Sequence, residues 1–248
     1  MIILKSKEDK KKMRESNRIV ALVLKEIEKL IKPGVKTIEL DKFAEKLIRK
    51  EGAVPGFKGY QGFPATLCVS INEEIVHGIP SERRLKEGDI VSIDVGTIKD
   101  GFYGDGARTY AVGKVDEKGL KLMETTKKAL EKGIEKAIPG NRISDISHNI
   151  QTYVESQGFS VVRQFVGHGI GRNLHEDPQI PNYGEPGRGS MIKEGMAIAI
   201  EPMVCEGNWE AEILNDGWTA VCKDGSRAAH YEHTIFINAE GPEILTVV

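Results

Sequence analysis

Glu87-Gly88-Asp89-Ile90-Val91-Ser92-Ile93-Asp94 and, 107 residues further on, Glu194-Gly195-Met196-Ala197-Ile198-Ala199-Ile200-Glu201 share one construction: an acid and a glycine, an apolar strand, and a carboxylate at its end. Successive strand side chains point to opposite faces. Val91 and Ile93 therefore share one face, with Ser92 and Asp94 on the other. In the second copy Ile198 and Ile200 lie opposite Ala197, Ala199 and Glu201. Each strand offers an oily face for helices to cover and a small-sided face that ends in an acid. Two such halves would place Asp94 and Glu201 on opposite sides of one cleft.

The surrounding helical patterns repeat too. Val20, Val23, Leu24, Ile27 and Leu30 follow the spacing of a helix with one buried face, with Ser6 as its cap, Asp9 three residues on and Pro33-Gly34 as its stop. A second helix is expected from near Thr37 to Gly52, with Leu40, Phe43, Ala44 and Leu47 inward. A third, about Lys118 to Ala137, stops at Pro139-Gly140; a fourth turns Ile143, Ile146, Ile150 and Val154 inward and stops at Gly158. Pro33 and Pro139, Gly34 and Gly140, and Gly52 and Gly158 are each 106 residues apart, the mark of an internal duplication. The expected fold is α/β (α+β): one domain over 1–248, with pseudo-repeats of about 1–115 and 116–248. Helices lie outside and a curved, mainly antiparallel sheet inside. The stretch from Gly167 to Gly189 reads as the longest irregular loop, and long ordered loops usually carry function.

With 40% hydrophobic and 29% charged residues the chain can bury a core under an ordinary soluble surface, and a net charge of -2 gives no field favouring nucleic acid or an anionic membrane. No apolar run approaches the roughly 20 residues of a membrane helix. The opening Met1-Ile2-Ile3-Leu4 is too short for a secretory signal and has its charges on the wrong side. Cys68, Cys205 and Cys222 are odd in number and form no CxxC, which fits a reducing cytoplasm better than a disulfide framework or a structural zinc site. The basic run Lys7 to Arg14 has no interleaved aromatics and reads as a solvated helix face. These features imply a cytoplasmic location, no membrane partner and no sequence-specific nucleic acid, with light contact to a ribosome left open. A monomer is expected, because the repeat already closes its cleft within one chain.

Taken singly, Asp94, Asp105 and Glu232 read as hydrogen-bonded or turn acids. Together with Glu201 they pose a charge problem, because four inward carboxylates repel and some would have to stay protonated. Two divalent cations balance four negative charges. Such a site is oxygen-rich, with His168, flanked by Gly167 and Gly169, supplying a nitrogen, and suits manganese, iron, cobalt or zinc. Two ions about 4 Å apart can hold one water between them and bring its pKa toward neutrality. His77 is likewise flanked by a glycine, in Val76-His77-Gly78-Ile79-Pro80, and His175 follows in Asn173-Leu174-His175-Glu176-Asp177-Pro178. His148 lies in a polar helical stretch. His233 points away from Glu232 by alternation, and His230 shares the face of Glu232 without further support. Gly167-His168-Gly169-Ile170-Gly171 misplaces the third glycine of a dinucleotide loop, and neither GxSxG nor HExxH occurs.

Seven segments, in order, are similar to the motifs of the bacterial type I methionine aminopeptidases: Asn72-Glu73-Glu74-Ile75-Val76-His77-Gly78-Ile79-Pro80, Gly88 to Gly96, Gly104-Asp105, Gly167 to Arg172, His175-Glu176-Asp177-Pro178, Ile200-Glu201-Pro202-Met203 and Tyr231-Glu232-His233-Thr234. The resemblance covers about residues 6 to 246 and implies the duplicated pita-bread fold. It implies Asp94 as chelating ligand of one metal, Asp105 and Glu232 as bridging carboxylates, and His168 and Glu201 as ligands completing the other. Glu201 is also the implied base, His77 the residue facing the substrate amine, and His175 the group that polarises the scissile carbonyl. The implied reaction removes the initiator methionine from nascent polypeptide N-termini with a small second residue. Phe57, Tyr60, Phe63, Cys68, Leu174 and Trp218 are the implied methionine slot, although some relatives carry Cys, Tyr and Phe in place of Phe57, Phe63 and Leu174. The rival enzymes on this fold are prolidases and aminopeptidase P, which usually carry an extra N-terminal domain. A non-catalytic binding module is the rival from another class.

Overall fold

The helices form where the apolar spacing places them in a computed structural model that describes all 248 residues. Helix α1 (Lys7–Glu28) begins with a reciprocal cap: Asp9 N–H donates to the Ser6 hydroxyl, and Ser6 N–H donates to the Asp9 carboxylate. Helix α2 spans Thr37–Lys50, α3 Glu117–Ile134 and α4 Ile143–Ser156. In α2 the buried stripe is Leu40, Ala44 and Ile48, whereas Phe43 and Leu47, expected inward, are half-buried at its margin. Positions 40, 44 and 48 fall on one i, i+4 row, and that row meets the sheet.

The duplication is visible in the backbone. Gly34 and Gly140 both take positive φ, 90° and 95°, a region that suits glycine. Gly34 N–H donates to the Leu85 carbonyl at 2.7 Å and Gly140 N–H to the Ile192 carbonyl at 3.1 Å, the same turn made twice. Isolated bridges Lys36–Arg84 and Arg142–Met191 occupy matching places beside them.

Every strand pairing is antiparallel, and hydrogen bonding divides the strands into four sheets. In the first half the long hairpin Ile90–Lys99 and Phe102–Ala111 is flanked by Leu67–Ile71. In the second, Ala197–Ile200 lies between Gly167–Gly169 and His233–Asn238. The region from Gly167 to Gly189 is thus not wholly irregular: it contributes the antiparallel strands Gly167–Gly169 and Glu176–Ile180. Those strands are made by backbone bonds alone and have no apolar alternation to announce them. Helices α1 and α2 cover Val91, Ile93 and Val95, while α3 and α4 cover Ile198, Ile200, Ile235 and Ile237. The opposite, small-sided faces are left to line a cleft. All three cysteines are free and buried, and no helix is long and apolar enough to cross a membrane.

The segment before α1 is strapped to the second half. Lys5 Nζ lies 2.6 Å from Glu176 Oε2, with side chains only 4% and 5% exposed, and Lys5 also donates to the Ile3 carbonyl. Removing one partner of a buried pair strands the other charge in a dry site. Lys5→Met should therefore cost about 3–5 kcal/mol in urea unfolding, and Lys5→Met with Glu176→Leu should recover most of it. A single-variant loss below about 1 kcal/mol would match an exposed pair and contradict the burial argument.

Candidate metal centre and active site

Register decides which side chains meet. In the first-half hairpin Asp94 faces Ala107 across the ladder and Gly96 faces Asp105, so both acids project from one face, two positions apart. In the second half His168 pairs with Ala199, which pairs with Thr234 on its other side. Glu201 lies two residues beyond Ala199 and Glu232 two residues before Thr234, so both continue the face that carries His168. Cross-links then bring the halves together: Glu232 N–H donates to the Ala107 carbonyl at 2.9 Å, and the Thr234 hydroxyl donates to the Asp105 carbonyl at 2.9 Å.

All thirteen residues singled out from the sequence line one cavity of about 120 Å³: the five proposed ligands, His77, His175, and the apolar set Phe57, Tyr60, Phe63, Cys68, Leu174 and Trp218. Gln61 and Val76 complete the lining and were not foreseen. Phe63 and Trp218 meet edge to face at 5.1 Å. Phe57 packs where Gly96 has no side chain; a Cβ there would lie 2.4 Å from its ring. Cys68 pairs directly with Asp94 across the ladder, and burial together with the neighbouring acids pushes its thiol well up, so it contributes as an apolar wall.

The polar end of the cavity holds an electrostatic conflict. Asp94, Asp105, His168 and Glu232 are buried and Glu201 nearly so. None of the four acids pairs with a lysine or arginine. Burial pushes Asp94 up to about 7 and Glu201 up to about 8, and burial with mutual repulsion pushes Asp105 and Glu232 well above the carboxylate range. One oxygen each of Asp94, Asp105 and Glu232 is buried without a hydrogen-bond partner. Such groups are costly unless something positive satisfies them.

The histidine is arranged to help. His168 Nδ1 lies 2.9 Å from the Gly169 carbonyl, which fixes the proton on Nδ1 and leaves the Nε2 lone pair facing the acids. Nε2 lies 3.5 Å from Glu201 Oε1 and 3.7 Å from Asp105 Oδ2. Burial holds this imidazole at about 4, so it is neutral near pH 7 and free to act as a ligand. Ligand atoms of Asp105, His168 and Glu232 all lie within 4.8 Å of one another. The unpartnered oxygens, the neutral imidazole and the missing counter-charge together fit a divalent metal.

The other histidines divide as their surroundings dictate. His175 stacks edge-on against His168 at 4.4 Å and its Nδ1 lies 2.8 Å from the Tyr60 hydroxyl. His77 has a positive φ of 62°, uncommon outside glycine and often found at functional sites, and burial holds it at about 4. His148 is exposed, and His233 turns away from the cluster to Thr246. His230 is the residue that sequence reasoning undervalued. It is 1% exposed and its Nε2 lies 3.6 Å from Glu201 Oε2; the only available signal was the strand face it shares with Glu232.

Residues 11–239 match the family described as Metallopeptidase family M24. The chain is 55% identical to methionine aminopeptidase 1 of Bacillus subtilis, over all of both chains. It superposes on the crystal structure of a methionine aminopeptidase from Thermotoga maritima with a TM-score of 0.99 and 51% identity, again over all of both chains. A prolidase from Pyrococcus furiosus gives 0.80 at 25% identity, with 99% of this chain matched to 66% of that one.

Proposed function

The chain belongs to metallopeptidase family M24, and from that premise we propose that it is an aminopeptidase that removes N-terminal methionine. The observation that carries the reading is a single cavity in which an apolar slot opens directly onto buried carboxylates and histidines. A thioether side chain suits aromatic walls such as Phe57, Tyr60, Phe63 and Trp218. The cavity is small, about 120 Å³, and its apolar lining adjoins the carboxylates directly, which favours one unbranched apolar side chain followed at once by the scissile bond. A small second residue suits a cavity of this size, which His77, His175 and Trp218 also line.

Asp94, Asp105, His168, Glu201 and Glu232 would hold two divalent ions, by charge balance against four carboxylates. Manganese, iron, cobalt and zinc all suit this mixture of oxygen and imidazole donors. When bound, the metal supplies Lewis acidity and lowers the pKa of water. The protein's own groups do the rest. The slot fixes the methionine side chain and so places its carbonyl. Glu201, at the edge of the cluster and still reachable by water, takes the proton from the attacking water. His175, held by Tyr60, donates toward the carbonyl oxygen as negative charge develops there. His77, neutral because it is buried, meets the substrate's amine side. In this reading the substrates are nascent polypeptide N-termini in the cytoplasm, and the enzyme acts as a monomer because both halves of one chain line the cleft.

The test pairs metal analysis with two substrates. The expected result is about two ions per chain at saturation, with cleavage of Met-Ala-Ser and none of Gly-Pro. A preference for the proline dipeptide would turn the reading toward a prolidase. A folded protein that takes up no metal would turn it toward a binding module.

A further inference from the structure

His230 closes the strand Ala228–His230, and its backbone is pinned: His230 N–H donates to Thr109 Oγ1 at 2.9 Å, and the Thr109 hydroxyl donates back to the His230 carbonyl at 2.9 Å. The ring therefore has a fixed origin. Both of its nitrogens are buried and neither has a hydrogen-bond partner. A buried polar group left unpaired costs about 1–3 kcal/mol, so an aliphatic residue would serve this position better if packing were its only task. The carboxylate beside the ring is Glu201, whose Oε2 lies 3.6 Å from Nε2, just beyond hydrogen-bond range. The charge of Asp94 acts on the ring as well. The imidazole and His168 thus approach different oxygens of the Glu201 carboxylate.

We propose that His230 is a positioning residue of the metal centre: it donates Nε2–H to the ionised Glu201 carboxylate and fixes the orientation in which that carboxylate holds a cation. The proposal rests on the reading of this cluster as a metal centre. A small rotation of the Glu201 carboxylate brings the pair into hydrogen-bond range and removes the unpaired buried donor. Oε1 then remains directed toward His168 and Asp105, where the other ligands converge. Outer partners of ligating side chains typically control metal affinity by 10–100-fold.

The experiment titrates Co²⁺ into the metal-stripped full chain against a competing chelator, for wild type, His230→Leu and His230→Gln. Visible absorption of the bound cobalt and urea unfolding of each stripped protein are recorded in parallel. His230→Leu should bind Co²⁺ about 10–100-fold more weakly and shift its absorption bands. Its stripped form should be no less stable than wild type, because it has lost an unpaired polar ring. His230→Gln keeps a donor and should bind close to wild type. Wild-type affinity in His230→Leu would overturn the proposal, as would His230→Gln binding as weakly as His230→Leu. If wild type itself binds no Co²⁺, the metal-centre reading falls, and the role of His230 falls with it.

Discussion

Glu201→Gln should lower kcat by about 10²–10⁴-fold, the range of a positioned general base, while the protein stays folded. The change preserves size and leaves Ile198 and Ile200 packed under α3 and α4, so the strand keeps what anchors it. What it removes is an acceptor that water can reach. Glu201 differs from the other three acids in this respect: its side chain retains 13% exposure, against 5% for Asp105. Its ionised form is favoured only near a cation, since burial alone lifts it to about 8. A Gln amide carries no negative charge and cannot take a proton at any working pH. Steady-state kinetics on Met-Ala-Ser, with metal content measured on the same samples, separate a lost base from a lost ligand. Near-normal kcat in the fully loaded variant would remove Glu201 from the proton transfer.

How far the sequence foretells this site depends on what kind of signal each residue leaves. Asp94 and Glu201 were legible from local chemistry alone. Each follows an alternating run whose other face is aliphatic, and the two runs recur at one offset; Glu201 lies just past its strand, whereas the first strand continues beyond Asp94 to Lys99. The helices were legible for the same reason: a 3.6-residue apolar period leaves a long trace, and paired glycine stops mark both copies. Asp105 and Glu232 left weaker signals. Their meeting is fixed by ladder register and by the Glu232 N–H bond to the first half, and backbone hydrogen bonds do not depend on side-chain identity. The strand Gly167–Gly169 escaped for that reason, since two glycines and a histidine have no face to alternate. The positive φ of His77 is equally silent in sequence, because a tertiary setting imposes it against the residue's own preference. His230 lay on the right face, but nothing local distinguished a histidine beside the cluster from one satisfied elsewhere.

Stripped of metal, the protein should lose stability as pH rises from 6.5 to 8, and reloading should abolish the loss. In the unfolded chain the four acids ionise near pH 4. In the native state burial raises Asp94 to about 7 and Glu201 to about 8, with Asp105 and Glu232 pushed higher still. A raised native pKa contributes stability that is fully present below the unfolded value and is lost as pH climbs through the native one. The buried histidines do not obscure the upper part of this window. His77, His168 and His233 are held at about 4 and burial lowers His175 and His230 as well, all below an unfolded value near 6.5, so their effect is a loss of stability on acidification that fades as pH rises past about 7. Above about 7 they are mostly neutral in both states, and the carboxyls set the slope. Each proton held only by the native state lowers stability by about 1.4 kcal/mol per pH unit, so two such protons would dominate the profile. Cations replace those protons: with the carboxylates ionised in the loaded native state too, the slope vanishes or reverses, because metal affinity itself grows as protons leave. Urea midpoints of chelator-treated and Mn²⁺-loaded protein, taken across pH 6.5 to 8, measure both profiles. A stripped protein whose midpoint held level or rose over that range would mean that its acids are already ionised and solvated. The charge conflict that calls for a metal would then not exist.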